Sequence, residues 1–481
     1  MSIKGSTVIF SLLLSLYCGS LTAQTPVDSS RLSLQQCVET AIKNNADVQR
    51  KGLLKQSAHL NWTQAKENLL PTLNADAYHG SNQGRSINPY TNTYIDQQLT
   101  YANYSIYSSL TLFQGLALQN AIKQNKQTFN ATAYEEQQQK ELLTLNVIMA
   151  YLQVLTNEDL LALTYQQQEV STRQVERLDI RNQDSAADPA ELYDLKGQQA
   201  NDQLSVVNTQ NSLENAKLSL AQLMNIPYNT HLAFQRVATG NTTQLLYDAS
   251  AEDVFKNAEA NLAMVKAADL RKASAETAIQ VAKGRGLPTL ALSGQLATNY
   301  SSAGTLQNLV STTETAGSSY VTYNGTKLPV IEQNSSYIAS RIPYGTQLNN
   351  NLNNSISLGL TIPILNGFQN KNRIAQARIT AQDAAITAST VRIQLQQSVE
   401  QAYFNMTAAQ KKYKVLQAQQ AAFKESFRVA EVKFNAGAIN SVDYVVAKNN
   451  YDRSNINMVV AGYDLVIRIK LLDYYQGKPL W

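Results

Sequence analysis

The sequence predicts a mostly α-helical protein made of two tandem repeats, each with a helix, a pair of β-strands, a long helix and a returning helix. Three observations lead to this prediction. A nine-residue segment recurs with six identical positions, the hydrophobic spacing changes from helical to strand-like at both copies, and two stretches of about 70 residues contain no proline. Because proline disrupts helix interiors, such stretches fit long continuous helices.

The repeated segment marks a helix-to-strand junction. It reads AKENLLPTL in the first copy and AKGRGLPTL in the second, so that Pro71 and Pro288 stand 217 positions apart. Each proline ends a helical pattern and biases the residue before it, Leu70 or Leu287, toward extended backbone. Matches beyond the strands are 252 positions apart, so the second repeat carries an insertion of 35 residues.

Residues 1–23 are predicted to be a secretory signal peptide. Lys4 precedes a mostly apolar run that is too short to span a bilayer, and small residues follow it, with cleavage expected after Ala23. Cys18 leaves lipid attachment open as an alternative, although bulky Tyr17 precedes it. After cleavage Cys37 is the one remaining cysteine, so no disulfide within the chain is expected.

Hydrophobic spacing sets the boundaries of the elements. In the first repeat, 24–230, we predict a helix over 33–70, a strand pair over about 71–113, a long helix over about 114–183 and a return helix over about 188–225. Residues 231–249 are a connector. In the second repeat, 250–481, we predict a helix over 250–287, a strand pair over about 288–365, a long helix over about 366–435 and a return helix over about 441–476.

The strands have one aliphatic face and one small or polar face. Ile356, Leu358 and Leu360 alternate with Ser357 and Gly359. This pattern fits a half-buried sheet in a soluble protein, or a transmembrane barrel strand with its apolar face toward lipid. The signal peptide and the tyrosines near the strand ends favour the barrel. Four visible strands cannot close one, since small barrels use about eight, so the barrel must be shared between subunits.

The insertion falls within residues 300–354, which are rich in Ser, Thr, Asn and Gly. This composition predicts a long surface loop. Its position opposite the helices places it outside the cell.

The helix lengths predict a long tube. A helix of about 70 residues extends about 105 Å, and the shorter helices are each about half as long, so two stacked end to end match one long helix. Apolar residues recur about every 3.6 positions, as in an untwisted helix. A coiled-coil scaffold would show similar stripes, so the periodicity alone does not fix the function.

A short turn separates each long helix from its return helix. In the second repeat, Gly437 is predicted to end the long helix in a left-handed conformation, Asn440 or Ser441 to cap the next helix, and Asp443 to stand in its first turn.

In the first repeat the corresponding turn residues are Ser185, the capping Asp188 with Pro189 behind it, and Glu191 in the position of Asp443. For both acids, simple helix capping is the alternative to a functional role.

Together these features resemble the TolC-like outer-membrane efflux protein family (outer membrane factors) over nearly the whole mature length. The segments that carry the resemblance are the opening helix 34–45, the Leu-Pro-Thr-Leu junctions, Pro363–Gly367, Ala402–Tyr403 and Phe434–Gly437.

The resemblance implies a homotrimer with one 12-stranded β-barrel in the outer membrane, continuous with a long periplasmic α-helical barrel. A belt formed by residues 226–250 and the C-terminal end would surround it. The end of the helical barrel that carries the turns would dock a periplasmic adaptor protein and an inner-membrane RND or ABC-type pump. Asp443, Glu191 and Phe434 would form the periplasmic gate. Val446 stands where the best-known member has a second acid, so a double acidic ring is not expected.

Other classes of protein fit less well. The three histidines are scattered without metal-ligand spacing, and the chain has no phosphate-binding loop or nucleophile elbow, so we expect no enzyme, metal or cofactor. The net charge of +4 comes without a basic run, which argues against nucleic acid. An exported coiled-coil scaffold or adaptor without a pore is the main alternative, and an adhesin gains support only from the Asn/Ser-rich insertion.

Overall fold

The fold is described from a computed structural model, over residues 31–87, 92–96, 98–183, 189–236, 247 and 249–478. The predicted signal peptide lies outside these residues. The chain forms two compact units. The helical unit comprises Met1–Arg50, Gln137–Leu262 and Gln394–Trp481, and the sheet unit comprises Lys51–Glu136 and Ala263–Ile393.

The protein is mostly helical with antiparallel sheet, as the sequence predicts. The helices are α1 Leu34–Asn44, α2 Ala46–Glu67, α3 Ala117–Gln183, α4 Pro189–Met224, α5 Ala251–Asn261, α6 Ala263–Gly284, α7 Tyr344–Asn350, α8 Gln369–Asn435 and α9 Ser441–Tyr475. The strands are β1 Thr72–Asn82, β2 Arg85–Ile87, β3 Tyr94–Asp96, β4 Leu99–Gln114, β5 Thr289–Ser301, β6 Thr305–Tyr323, β7 Thr326–Arg341 and β8 Asn353–Thr361.

The repeat holds element by element. The boundaries of α1 and α2 recur 217 positions later in α5 and α6, and β5 begins 217 positions after β1. The two long helices, α3 and α8, have 67 residues each and begin 252 positions apart. At both helix-to-strand junctions the helix ends five positions before the strand begins, with Pro71 or Pro288 immediately ahead of the strand.

The prediction of single helices over 33–70 and 250–287 is wrong, because each segment is broken after eleven helical residues. Asn45 ends α1 in an extended conformation, and its side-chain oxygen accepts hydrogen bonds from the backbone amides of Asp47 and Val48 at the start of α2. Leu262 makes the same break in the second repeat. The missed signal was Asn45, since asparagine inside a helical pattern is also a favoured N-cap.

The sheet unit contains a four-stranded antiparallel sheet with the order β1-β4-β5-β8. Its register sets the aliphatic residues of neighbouring strands directly opposite one another, as in Leu110 with Leu292 and Leu292 with Leu358. The small and polar residues form the other face, where Ser105 is paired with Asp76 and Ser293 with Ser357. The two end strands, β1 and β8, each pair on one side only.

The long surface loop predicted over 300–354 is exposed, but it contains regular elements that the sequence analysis did not foresee. This segment contains the end of β5, an antiparallel hairpin of β6 and β7, and the short helix α7. Asn324 and Gly325 form the two-residue turn between the strands, both with positive φ. An Asn-Gly pair between two alternating runs is a strong hairpin signal, and threonine is a good strand former, so the composition misled the interpretation.

The connection from β4 to α3 depends on close backbone packing. Gly115 has φ +53°, and a Cβ atom there would lie 2.6 Å from the carbonyl oxygen of Gly284 and 2.6 Å from Cβ of Leu287. The equivalent residue of the second repeat, Gly367, has φ +60° but open space around it. The two glycines thus share a backbone conformation and differ only in their surroundings.

The helical unit has its own core around Tyr151, which is fully buried. Its hydroxyl donates to the carbonyl oxygens of Leu32, at 3.1 Å, and Gln235, at 2.5 Å. Leu32 also forms a parallel bridge with Phe234, whose ring packs edge-on against Tyr151. The connector is thereby fastened to the start of the first repeat. None of the helices in the described part of the chain is both long and apolar enough to cross a membrane.

Gly115 and Gly367 provide a matched test of the close backbone packing between β4 and α3. Gly115→Ala should lower the midpoint of thermal unfolding in detergent more than Gly367→Ala. Each adds a side chain in the left-handed region, at about 1–2 kcal/mol, and only Gly115→Ala adds overpacking of about 1–3 kcal/mol. Equal shifts would mean that the approach of Gly115 to Gly284 does not constrain the fold.

Candidate functional site

The turn between α8 and α9 is built from backbone hydrogen bonds around one glycine. Gly437 has φ +74°, the left-handed conformation that the sequence predicts. The amide of Ala438 donates to the carbonyl of Lys433 at 2.8 Å, and the amide of Gly437 donates to that of Phe434 at 3.0 Å. This pair of bonds is the Schellman motif, which satisfies the last carbonyls of a helix.

The next helix begins with a side-chain cap. Asn440 is the N-cap of α9, and its side-chain oxygen accepts from the amide of Asp443 at 2.8 Å. Ser441, the other predicted cap, is instead the first helical residue and is buried, with its hydroxyl donating to Asp194 of α4 at 2.9 Å. The turn is therefore fixed both locally and against the neighbouring return helix.

A cluster of apolar side chains fills the space behind this turn. We call it the tip cluster; it consists of Val175, Leu178, Leu192, Leu195, Phe434 and Tyr444. Phe434 is 6% exposed, and its ring stacks on Tyr444 with 4.7 Å between centroids. The ring of Phe434 is thus packed inside the single chain, and its role at a gate stays a prediction.

The predicted acids occupy different surroundings. Asp443 is exposed in the first turn of α9, beside exposed Val442 and Val446. Glu191 is half-buried in the first turn of α4, which begins at Pro189. Ser185 and Asp188 lie outside the described residues. Of the predicted gate residues, Asp443 is thus the one that the fold leaves exposed at a turn.

Sequence reasoning missed a buried group of charges between α4 and α9. We call it the charged cluster, consisting of Lys448, Asp202 and Asp452. The Lys448 side chain is 1% exposed, and its Nζ lies 2.8 Å from Asp202 Oδ2 and 2.6 Å from Asp452 Oδ2. Gln198 donates to the other oxygen of Asp202 at 2.8 Å and accepts from Asn449 at 3.2 Å. The ion pairs are therefore embedded in a network of hydrogen bonds, which buried charges require.

Burial affects the ionisation of Asp452 in the charged cluster. It raises the pKa of Asp452 above its usual range, and the nearby Lys448 ammonium only partly offsets the effect. Burial also raises the pKa of Tyr444, with Glu431, Asp452 and Asp202 adding to the effect. The cluster thus combines two carboxylates with one ammonium in a region that disfavours net charge.

The spacing of Lys448 and Asp452 was the available signal, since residues four apart lie on one face of a helix. That spacing cannot reveal burial. Lys196, the equivalent of Lys448 in the first repeat, is 46% exposed and lies 3.8 Å from an equally exposed Asp179. The repeats share their backbone pattern here and differ in which lysine is covered.

Among the described residues no three His, Cys, Asp or Glu side chains come together in a way that could hold a metal ion. Cys37 is buried, and burial raises the pKa of its thiol to about 12.

The fold thus consists of two repeats of paired strands, a long helix and a return helix. The family model of outer membrane efflux proteins matches residues 37–225 and 254–473, and the chain belongs to this family. Its members are channel proteins and not enzymes.

Solved structures share the fold. The structure of CusC has a TM-score of 0.72 at 15% identity, covering 96% of this chain and 96% of that chain. VceC from Vibrio cholerae has a TM-score of 0.69 at 13% identity, covering 93% and 97%. The open-state MtrE channel of Neisseria gonorrhoeae has a TM-score of 0.68 at 16% identity, covering 93% and 89%. A comparison with curated proteins gives no match.

Removing the buried ammonium should destabilise the helical unit. Lys448→Met leaves two buried carboxylates uncompensated, a loss of about 3–5 kcal/mol that should lower the thermal midpoint in detergent. Lys196→Met is the matched control and should cost about 1 kcal/mol or less, because its ion pair is exposed. Midpoints that fall equally in the two variants would contradict a stabilising role for the charged cluster.

The effect of Lys448→Met should also depend on pH. A buried aspartate keeps its proton at pH values where the unfolded chain has already lost it, so stability falls as the pH rises above about 4. Without Lys448 this fall should become larger. The difference in midpoint between Lys448→Met and the natural protein should therefore be smallest near pH 4 and grow toward pH 8, and a difference that shrinks over this range would refute the assignment.

Proposed function

We propose that the protein is the outer-membrane exit duct of a tripartite efflux or secretion system, conducting substrate passively from an inner-membrane pump and a periplasmic adaptor to the exterior. The observation that carries the proposal is the exposed apolar face of the four-stranded sheet. On β8 the residues of this face are mostly exposed to solvent in the single chain, with Ile356 84%, Leu358 62% and Leu360 62% exposed. A soluble monomer rarely leaves so large an apolar patch open.

The apolar face is continuous across the sheet. The residues that share it are Leu73, Ala75, Ile106, Leu110, Leu292, Leu296, Ile356 and Leu358, placed opposite or diagonal to one another by the strand register. The opposite face carries Ser, Thr, Asn and Asp. Lipid on one side and water on the other match this division, as in the wall of a transmembrane barrel.

The open edges of the sheet call for further strands. β1 and β8 each have one unpaired side, and an unpaired backbone group in hydrocarbon costs several kcal/mol. Joining β8 of one copy to β1 of the next would satisfy both edges. Three copies would give 12 strands, enough to close a barrel around water, whereas one copy cannot close. We therefore propose a homotrimer in the outer membrane.

The long helices supply the periplasmic part of the proposed duct. α3 follows β4 and α8 follows β8 along the chain, and the turns predicted from the sequence connect these long helices to α4 and α9. We place the adaptor contact and the gate at these turns, with one exposed Asp443 from each copy. The duct needs no energy of its own, because the pump supplies it.

The mass of the detergent-extracted protein tests the assembly. Native mass spectrometry of outer-membrane extracts should give a trimer that requires detergent, because only shared strands cover the sheet edges. A monomer or dimer that stays soluble without detergent would overturn the duct and leave an exported scaffold in its place.

The proposed acidic ring predicts a selectivity change. A carboxylate about 8 Å from a passing ion in water contributes about 0.5 kcal/mol, a factor of about two. Asp443→Ala should therefore lower the cation-to-anion permeability ratio of single channels by at least about twofold at low salt. Glu252→Ala is the control, since Glu252 is an exposed acid in the first turn of α5. If both variants keep the natural ratio, Asp443 has no part in selectivity.

A further inference from the structure

The β6–β7 hairpin is a long ribbon with almost nothing packed on it. Its strands have 19 and 16 residues, and nearly every residue is exposed in the single chain. The strands pair from Thr305 with Arg341 to Tyr323 with Thr326. An isolated two-stranded ribbon is marginally stable in water, because it has no further strand or helix against which to bury its apolar side chains. A ribbon of this length therefore calls for a partner.

The exposed apolar side chains fall into two groups. The base group is Leu306, Leu309, Val310, Tyr337 and Ile338, and the tip group is Tyr320, Val321, Tyr323, Leu328, Val330 and Ile331. Between them the ribbon is polar, with cross-strand pairs such as Thr313 with Asn334 and Glu314 with Gln333. Two apolar bands separated by a polar one mark two places where a partner would be buried.

The base of the hairpin is fixed to the sheet. The Gln347 side chain is 2% exposed, and its amide nitrogen donates to the carbonyls of Ser301, at 3.0 Å, and Ile342, at 2.9 Å. Its oxygen accepts from the amide of Ser301 at 3.0 Å. Ser301 ends β5 and Ile342 follows β7, so one buried amide ties both ends of the ribbon together. The hairpin thus leaves the sheet in a defined direction.

Charge narrows the choice of partner. The hairpin carries Glu314, Glu332, Lys327 and Arg341, which sum to zero. A strongly charged partner, such as a phosphate-rich surface, would have no electrostatic attraction to a ribbon without net charge. Two identical ribbons without net charge do not repel each other.

Position points to the same partner. The hairpin is inserted between β5 and β8, and β8 is the open edge that the proposed function joins to the next copy. The bases of three hairpins would therefore be held side by side around the end of the barrel farthest from α3 and α8.

We propose that the β6–β7 hairpins of three copies pack against one another and form a collar at the exit of the duct, burying their base and tip groups. This inference rests on the proposed trimer. The occupant of each ribbon's exposed surface is the same ribbon of a neighbouring copy, and the collar narrows the opening that the barrel alone would leave.

Spin-label distances within the purified trimer test the collar. Thr326→Cys places a label at the tip, and Thr305→Cys places a matched label at the base of the same ribbon, both at exposed positions. Cys37 is buried and its thiol stays protonated, so it does not take up label. If the ribbons pack together, the tip-to-tip distance should be equal to or shorter than the base-to-base distance.

Each other outcome overturns a defined statement. A trimer whose tip-to-tip distance exceeds its base-to-base distance overturns the collar alone. The collar is also overturned if position 326 is protected from labelling in intact cells but the tips lie farther apart than the bases in the purified trimer. That outcome would mean that a different partner covers the tip. A monomeric mass overturns the proposed function and the collar with it.

A charge substitution gives a second readout that does not depend on labels. Val321→Asp puts like charges into the proposed contact and should lower the thermal midpoint of the trimer. Thr313→Asp, in the polar band of the same strand, should leave it nearly unchanged. Equal shifts from the two variants would contradict burial of the tip group.

Discussion

The constraint on which the rest of the structure depends is the unsatisfied backbone of an open sheet. Four strands with two free edges and one apolar face are not a stable end state in water or in lipid. The register makes the problem sharper, because it aligns the aliphatic residues of all four strands on a single face. A one-residue shift of any strand would move its aliphatic residues to the polar face, so the sheet is specific as well as incomplete. The chain's own hydrogen-bonding pattern therefore supports the proposed assembly.

The two repeats have corresponding helix boundaries, but equivalent residues have different surroundings. Gly115 and Gly367 have the same left-handed backbone, yet only Gly115 is pressed against another glycine. Lys448 and Lys196 occupy equivalent positions, yet only Lys448 is buried between two carboxylates. The backbone framework thus comes from the duplicated pattern, whereas the side-chain environments have diverged. The β6–β7 hairpin goes further in the same direction, since its strands have 19 and 16 residues, whereas the paired strands β2 and β3 of the first repeat have three residues each.

Sequence reasoning succeeded where a local pattern determines the local structure. Proline at the strand start, glycine at the end of α8 and the long proline-free stretches each restrict the backbone directly, and the corresponding elements lie within a few residues of the predicted bounds. It failed where composition replaced pattern, as in the Ser/Thr/Asn-rich segment that forms β6 and β7. It also missed the burial of Phe434 and Lys448, because burial depends on which helices pack together. The spacing along one helix does not contain that information.

The contacts at the turn limit how the proposed gate could open. Ser441 binds Asp194, Lys448 binds Asp202 and Asn449 binds Gln198, so three polar links join α9 to α4 within one chain. Separating these helices would expose the tip cluster and leave buried carboxylates without their ammonium, a cost of several kcal/mol. Asp443, in contrast, is exposed on the first turn of α9. A displacement that carries α4 and α9 together keeps the polar links between them and still moves Asp443, so this motion avoids the cost of leaving the buried carboxylates without their ammonium.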